Sequence, residues 1–293
     1  MEIIIAKNSG FCFGVTNSVE KTKQELSEMN KTELIYCLGE LVHNEQVIKS
    51  LEDKGLIIEE NILNIPNNSK VIIRAHGTTP ETYRIAKKNN IELIDLTCPK
   101  VTKIHQTVEK YKQKGYYIII IGIENHPEII GTKGFSGKDS FVLQDESEIK
   151  ELIDILKKEK IKDVIIVSQT TFSFSKFNIL NDKILKQVGR DLEEINIISI
   201  PCICNATKDR QDEVEKISKE VECIIVVGGK NSSNTEKLFN IAKKQLENSI
   251  WINSKDEISL EYIKQFSKIG IVSGASTPME VINEIIEYIQ NEN

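Results

Sequence analysis

Three cysteines recur in one local context, and it is a context in which a thiol can do chemistry. "EIIIAKNSGFCFGV" runs from an apolar strand pattern through Cys12 into a helical one. "IELIDLTCPKVTKIHQ" repeats that order at Cys98, with Pro99 near the helix start, and "INIISIPCICNATKDRQDEV" repeats it at Cys202 and Cys204. A helix start favours thiolate over thiol, because the backbone dipole presents positive charge there. Thiolate is the form that binds iron or zinc, so three such corners can converge on one metal centre. Between Cys202 and Cys204 the spacing leaves the choice open, with Cys204 nearer the helix that starts near Ala206. Cys37 and Cys223 lie inside apolar runs and read as small buried hydrophobes. The absence of a CxxC pair or a CxxxCxxC run argues against a zinc ribbon, a thioredoxin-like pair, a bacterial ferredoxin and a radical enzyme.

A second set of residues suits an anion. His43, His76 and His126 each follow a strand pattern beside turn-forming residues, while His105 sits in a helical stretch. Histidines at strand ends can donate to a phosphate or ligate a metal. Glu128 follows His126 by two residues in "NHPE", where a carboxyl group can deliver a proton, although the spacing fits an ordinary helix start equally well. "VVGGKNSSNTEKL" and "IVSGASTPMEVI" each take a strand through small and hydroxyl residues into a helix. Small residues there let backbone N–H groups approach a phosphate, and the helix dipole favours its charge. Neither stretch is a Walker A loop or a GxGxxG turn. "VSQTTFS", with Gln169, Thr170 and Thr171, is a polar strand end of the same kind. Together these corners suggest a metal cluster beside a small phosphorylated substrate.

The elements that must position them alternate along the whole chain. "EIIIAK", "ELIYCLG", "KVIIRAH", "IELIDLT", "YYIIIIG", "DVIIVSQ", "INIISIP", "CIIVVGG" and "KIGIVSG" read as strands. Their continuous apolar, β-branched runs suit parallel sheets covered on both faces. Helical patterns lie between them. "VTKIHQTVEKYKQKG" closes at Gly115, and Thr277, Pro278 and Glu280 stand in capping-box order. The class is therefore α/β, with ligands expected at the carboxyl ends of the strands. The 293 residues allow two or three domains, or one large α/β domain. A net charge of −6 argues against a nucleic-acid or anionic-membrane partner. No apolar stretch approaches the roughly 20 residues of a membrane span. "MEIIIAKNSG" lacks a basic leader, so a cytoplasmic location is expected, where the cysteines stay reduced.

Taken in order, "GFCFGV", "VHNEQV", "RAHG", "DLTCPKV", "NHPE", "SQTT", "CNAT..RQ", "KNSSN" and "SGAST" make the chain resemble the 4-hydroxy-3-methylbut-2-enyl diphosphate reductases of the non-mevalonate isoprenoid pathway. The resemblance runs nearly end to end. It implies three similar α/β domains with mainly parallel sheets, in a pseudo-threefold trefoil around a central cavity. Their expected bounds are 1–96 with Cys12, 97–198 with Cys98 and Glu128, and 199–293 with Cys204. Cys12, Cys98 and Cys204 would hold a [4Fe-4S] cluster with one iron open to the substrate hydroxyl, "CNAT" assigning the third ligand to Cys204. The substrate-binding residues would be His43, His76, His126, Thr170, Ser232, Ser233, Asn234 and Ser276. The catalytic set would be Glu128 as proton donor with Thr170 and His126, supported by Gln169. The implied reaction removes the allylic hydroxyl with two electrons and two protons, giving isopentenyl and dimethylallyl diphosphate. The implied partners are the allylic diphosphate and an electron donor such as ferredoxin or flavodoxin, with no nucleic acid and no membrane. At the Cys12 corner, Gly10 and Gly14 would allow a tight turn, and Phe11 and Phe13 would shield a cluster from water. Three other readings stand beside this one: a cluster enzyme similar to quinolinate synthase, a non-catalytic iron–sulfur sensor, and a metal-free sugar-phosphate enzyme.

Overall fold

The computed structural model describes residues 1–30, 34–192 and 194–291. Among the described residues, three four-stranded sheets carry the fold, and every strand pairing resolved in them is parallel. The strands are β1 (Glu2–Ile5), β2 (Ile35–Leu38), β3 (Leu56–Glu59), β4 (Lys70–Ile73), β5 (Glu92–Asp95), β6 (Tyr117–Ile121), β7 (Ser140–Leu143), β8 (Asp163–Ser168), β9 (Asn196–Ile200), β10 (Cys223–Val227), β11 (Ser249–Ile252) and β12 (Lys268–Ser273). The sheet orders are β3-β2-β4-β5, β7-β6-β8-β9 and β11-β10-β12-β1. One pattern is thus used three times, and in the third sheet the last place is filled by the first strand of the chain.

That placement differs from the simple reading in which residues 1–96 build one sheet. β1 pairs with β12 instead, Ile3 beside Ile269 and Ile5 beside Ile271. By compactness the chain forms two units. One comprises Met1–Leu34, Glu40–Ile58 and Asn205–Asn293, and the other Ile35–Gly39 and Glu59–Cys204.

The parallel pairing follows from the strand sequences. All five residues of "YIIII" in β6 and of "CIIVV" in β10 are buried. A strand covered on both faces has no place for the alternating polar residues of a half-exposed sheet. Ile119, Ile121 and Ile166 pack against Leu152, Ile153 and Leu156 of α6 (Ile149–Lys158) and Phe177, Leu180 and Ile184 of α7 (Phe174–Asp191). Ile118, Ile120, Ile165 and Val167 point the other way, to Ile104 and Val108 of α4 (Pro99–Gln113) and Ile129 of α5 (Pro127–Ser136). In the third sheet, Ile225, Val227, Ile269 and Ile271 pack against α11 (Met279–Asn291). The opposite face meets Val214 and Ile217 of α8 (Asn205–Ile217) and Leu238 and Ala242 of α9 (Ser233–Gln245).

Several helices around these sheets start at residues singled out in the sequence. α1 (Phe13–Glu28), α4 and α8 begin directly after Cys12, Cys98 and Cys204. Pro99 and Pro127 occupy the first turns of α4 and α5, where a missing N–H costs nothing. Gly115, at φ +81°, lies just past the end of α4 and donates to the Lys112 carbonyl, the expected stop. At Thr277, before α11, the hydroxyl donates to the Val227 carbonyl at 3.0 Å. α2 (Glu45–Glu52), α3 (Pro80–Lys88) and α10 (Leu260–Ile263) complete the helices used below. Among the described residues, no helix is long and apolar enough to cross a membrane.

Candidate active site

Among the described residues, none of the six cysteines is joined in a disulfide. They divide by environment as their contexts suggested. Cys37 and Cys223 are completely buried in β2 and β10, and burial pushes their thiols up to about 12 and about 11. Cys12, Cys98 and Cys204 are half-buried. Each has its backbone N–H tied to a carbonyl: Cys12 to Ala275 at 3.1 Å, Cys98 to Ala75 at 3.0 Å and Cys204 to Thr170 at 3.1 Å. The three follow β1, β5 and β9, which hold the same outer place in their sheets. Cys202 is used otherwise. Its sulfur donates to the Ile200 carbonyl at 3.2 Å, its N–H donates to Ser168 Oγ at 2.9 Å, and burial raises its thiol.

In the first unit, the strand-end residues expected to bind phosphate gather around His43. His43 precedes Asn44, whose Oδ1 caps α2 by accepting from Val47 N at 3.1 Å. The His43 carbonyl accepts from Ser276 Oγ at 3.3 Å, and a Cβ at Gly229 would collide with that same oxygen. Glycine at 229 is therefore what lets the turn before α9 lie against the histidine. Ser232 caps α9, accepting from Thr235 N at 3.3 Å, and Ser233 and Asn234 form its first turn. Thr235 is fully buried, and a Cβ at Gly228 would stand 2.6 Å from its Oγ1. Asn234 is 5 % exposed, and both its Nδ2 and its Oδ1 are buried without a hydrogen-bond partner among the described residues. Leaving such an amide unpaired costs roughly 1–3 kcal/mol per group unless a ligand satisfies it.

The second unit holds the residues expected to handle protons. His126 caps α5, its Nδ1 accepting from Glu128 N at 3.1 Å, which leaves Nε2 to carry the proton of a neutral ring. The His76 ring stands edge-on to it, with centroids 5.3 Å apart. Glu128 is 1 % exposed, and its carboxylate accepts from Thr170 N and Thr170 Oγ1, both at 2.6 Å. Because Cys204 N donates to the carbonyl of Thr170, one residue joins the buried carboxylate to a cysteine corner. Gln169 is completely buried, accepting from Ile123 N at 3.1 Å and donating to Thr171 Oγ1 at 2.9 Å. It thereby fixes the loop beside Glu128.

Comparison with known proteins meets this geometry at full length. The family described as "LytB protein" matches residues 3–290. The chain belongs to the LytB family. The 4-hydroxy-3-methylbut-2-enyl diphosphate reductase of Caldanaerobacter subterraneus subsp. tengcongensis is 40 % identical over 99 % of this chain and 97 % of its own length. The enzyme of the same name from Clostridioides difficile is 38 % identical, over 99 % of this chain and 100 % of its own. The solved structure of the corresponding Plasmodium falciparum reductase superposes with a TM-score of 0.88 at 29 % identity, covering 98 % of this chain and 87 % of that one. This LytB-family chain is an oxidoreductase, a reductase of the non-mevalonate pathway.

At the Cys12 corner, Phe13 is 76 % exposed and Phe11 is half-buried. Two supporting residues carried no signal of their own in the sequence. Thr132 donates to the Glu128 carbonyl at 2.8 Å, and Ser273 accepts from Gly10 N at 3.0 Å. Their partners are set by the folded backbone, so only the fold reveals them.

Proposed function

We propose that the chain reductively removes the hydroxyl group of 4-hydroxy-3-methylbut-2-enyl diphosphate, giving isopentenyl and dimethylallyl diphosphate. Cys12, Cys98 and Cys204 would hold a [4Fe-4S] cluster. Their half-buried positions at helix starts suit that group, unlike the sealed thiols of Cys37 and Cys223. When bound, the cluster supplies electrons one at a time and a Lewis-acidic iron.

The protein's own residues supply position and protons. Ser232, Ser233, Asn234, Ser276 and His43 offer hydroxyl, amide and imidazole donors for the diphosphate, beside the start of α9, whose dipole favours negative charge. The unpaired Asn234 amide is the observation that favours a polar ligand there. His76 and His126 offer further donors. Glu128 delivers a proton from its carboxyl through Thr170 Oγ1 toward the leaving hydroxyl, which departs as water. His126 fixes the Glu128 backbone through Nδ1.

The recurrence of one cysteine corner after the matching strand of three like-ordered sheets carries this reading. With it we propose segments 1–96, 97–198 and 199–293 as the repeated units, β1 being lent to the third sheet. A cytoplasmic site of action and a small ferredoxin or flavodoxin as electron donor complete the proposal. The test is an anaerobic assay with the hydroxylated diphosphate and reduced methyl viologen. The reconstituted parent should turn over, and Glu128→Gln should be at least ~100-fold slower. Full activity in that variant would remove Glu128 as the acid, and a parent inert toward this substrate would remove the reaction.

A further inference from the structure

The loop between β1 and α1 carries Cys12, and α8 holds it from two side chains. Arg210, 6 % exposed, donates from Nη2 to the Gly10 carbonyl at 3.0 Å and from Nη1 to the Ala206 carbonyl at 2.9 Å. Three residues later, on the same helix face, Glu213 accepts from Lys7 N at 2.5 Å and from Asn8 N and Asn8 Nδ2 at 3.0 Å each. Gly10 N and Cys12 N are tied to Ser273 Oγ and the Ala275 carbonyl. The loop backbone is therefore fixed on both sides of Gly10, which itself stands at φ +89°.

We infer that Arg210 and Glu213 are positioning residues that set the Cys12 sulfur for metal ligation. The inference rests on the cluster reading above. A methionine would fill the place of Arg210 without the desolvation cost of a buried guanidinium. The guanidinium instead grips a carbonyl two residues before the proposed ligand and brings positive charge to a loop meant to carry a thiolate. Glu213 restrains the same loop at its entry. α8 follows Cys204 directly in sequence, so the helix that fixes the Cys12 loop begins after another proposed ligand. In metal sites, such partners one step removed from the ligand typically change metal affinity 10- to 100-fold.

Four full-length proteins test this: the parent, Arg210→Met, Arg210→Lys and Glu213→Ala. In the iron-free chains, hydrogen exchange at Lys7 and Asn8 should be about 10-fold faster in Glu213→Ala, reflecting the lost charge-assisted bonds. In the anaerobically reconstituted proteins, chelator should strip iron about 10- to 100-fold faster from Arg210→Met, with rates near the parent in Arg210→Lys. The electron paramagnetic resonance signal of the reduced cluster should shift in Arg210→Met, a change that general loss of stability does not produce. Variants that fold, as judged by circular dichroism, and match the parent in exchange, iron release and spectrum would overturn the inference alone. Should Arg210→Met not fold, Glu213→Ala decides, because that side chain sits at the half-exposed edge of the loop. A parent that takes up no iron would overturn the cluster reading and this inference with it.

Discussion

Replacing Thr170 by valine removes one of the two donors holding the Glu128 carboxylate and keeps the other. Thr170, 6 % exposed, gives its backbone N–H and its hydroxyl to the two carboxylate oxygens of Glu128, itself 1 % exposed, each at 2.6 Å. Valine keeps the branch at Cβ, so the backbone N–H bond should survive. A hydrogen bond to an ionised group contributes roughly 1.5–3 kcal/mol, and a neutral pair roughly 0.5–1.5. Thr170→Val should therefore destabilise the iron-free chain by roughly 0.5–3 kcal/mol, the upper half of that range belonging to an ionised Glu128. In a Glu128→Gln background the same change should cost about 1 kcal/mol less, because the acceptor has become a neutral amide. Guanidinium unfolding of the four proteins of this cycle, followed by circular dichroism, gives the coupling directly. In turnover, losing the hydroxyl from the proton path should lower kcat about 10- to 100-fold with little change in KM. Equal costs in both backgrounds would refute the energetic pairing, and an unchanged kcat would refute the relay.

Three further outcomes follow from other positions. His105 is 4 % exposed and stacked on Phe135 with centroids 4.3 Å apart; burial pushes its imidazole from 6.5 down to about 4, against an opposing pull from Asp95. The unfolded chain then takes up a proton that the folded one resists, so stability is full above about pH 6.5 and falls by about 3 kcal/mol as pH drops toward 4. Urea unfolding at several pH values should show that slope in the parent and a flatter one in His105→Phe; equal slopes would reject the assignment. Gly229→Ala should push back the His43 carbonyl it would collide with and raise KM about 10- to 100-fold, and an unchanged KM would count against that pocket. Iodoacetamide at pH 8.5 should label Cys12, Cys98 and Cys204 of the iron-free chain but spare Cys37 and Cys223, whose buried thiols stay protonated to about 12 and about 11. Mass spectrometry reads this, and labelling of Cys37 as fast as Cys12 would contradict it.

The inner strands were legible because burial on both faces writes itself as an unbroken apolar run, as in "YIIII" and "CIIVV". The three strands that the sequence reading passes over are β3, β7 and β11, "LIIE", "SFVL" and "SIWI". Each is four residues long and sits at the same outer edge of its sheet, where one neighbour is missing and a shorter apolar run suffices. The seat of β1 was illegible for another reason. Its partner residues in β12 are more than two hundred positions away, and nothing local to "EIII" specifies which parallel sheet it enters. The site divides in the same way. Cysteine corners, histidines and the "KNSSN" turn are local patterns, whereas the Glu128–Thr170 pair spans 42 residues and the Arg210–Gly10 bond spans 200.

The strand orders also give a reason why the cysteine corners stand where they do. β1, β5 and β9 occupy the outer edge of their sheets opposite to the one taken by the overlooked strands. An edge strand has a neighbour on one side only, so the loop leaving its carboxyl end is not hemmed in by a second strand-end loop. The sulfur at that corner can therefore stay half-buried, as Cys12, Cys98 and Cys204 do, while the inner-strand thiols of Cys37 and Cys223 are sealed. The proposed thiolate ligands would need both a fixed backbone and an approach for inorganic iron. The carbonyl-bound N–H groups of the three cysteines would supply the first, and the edge position the second.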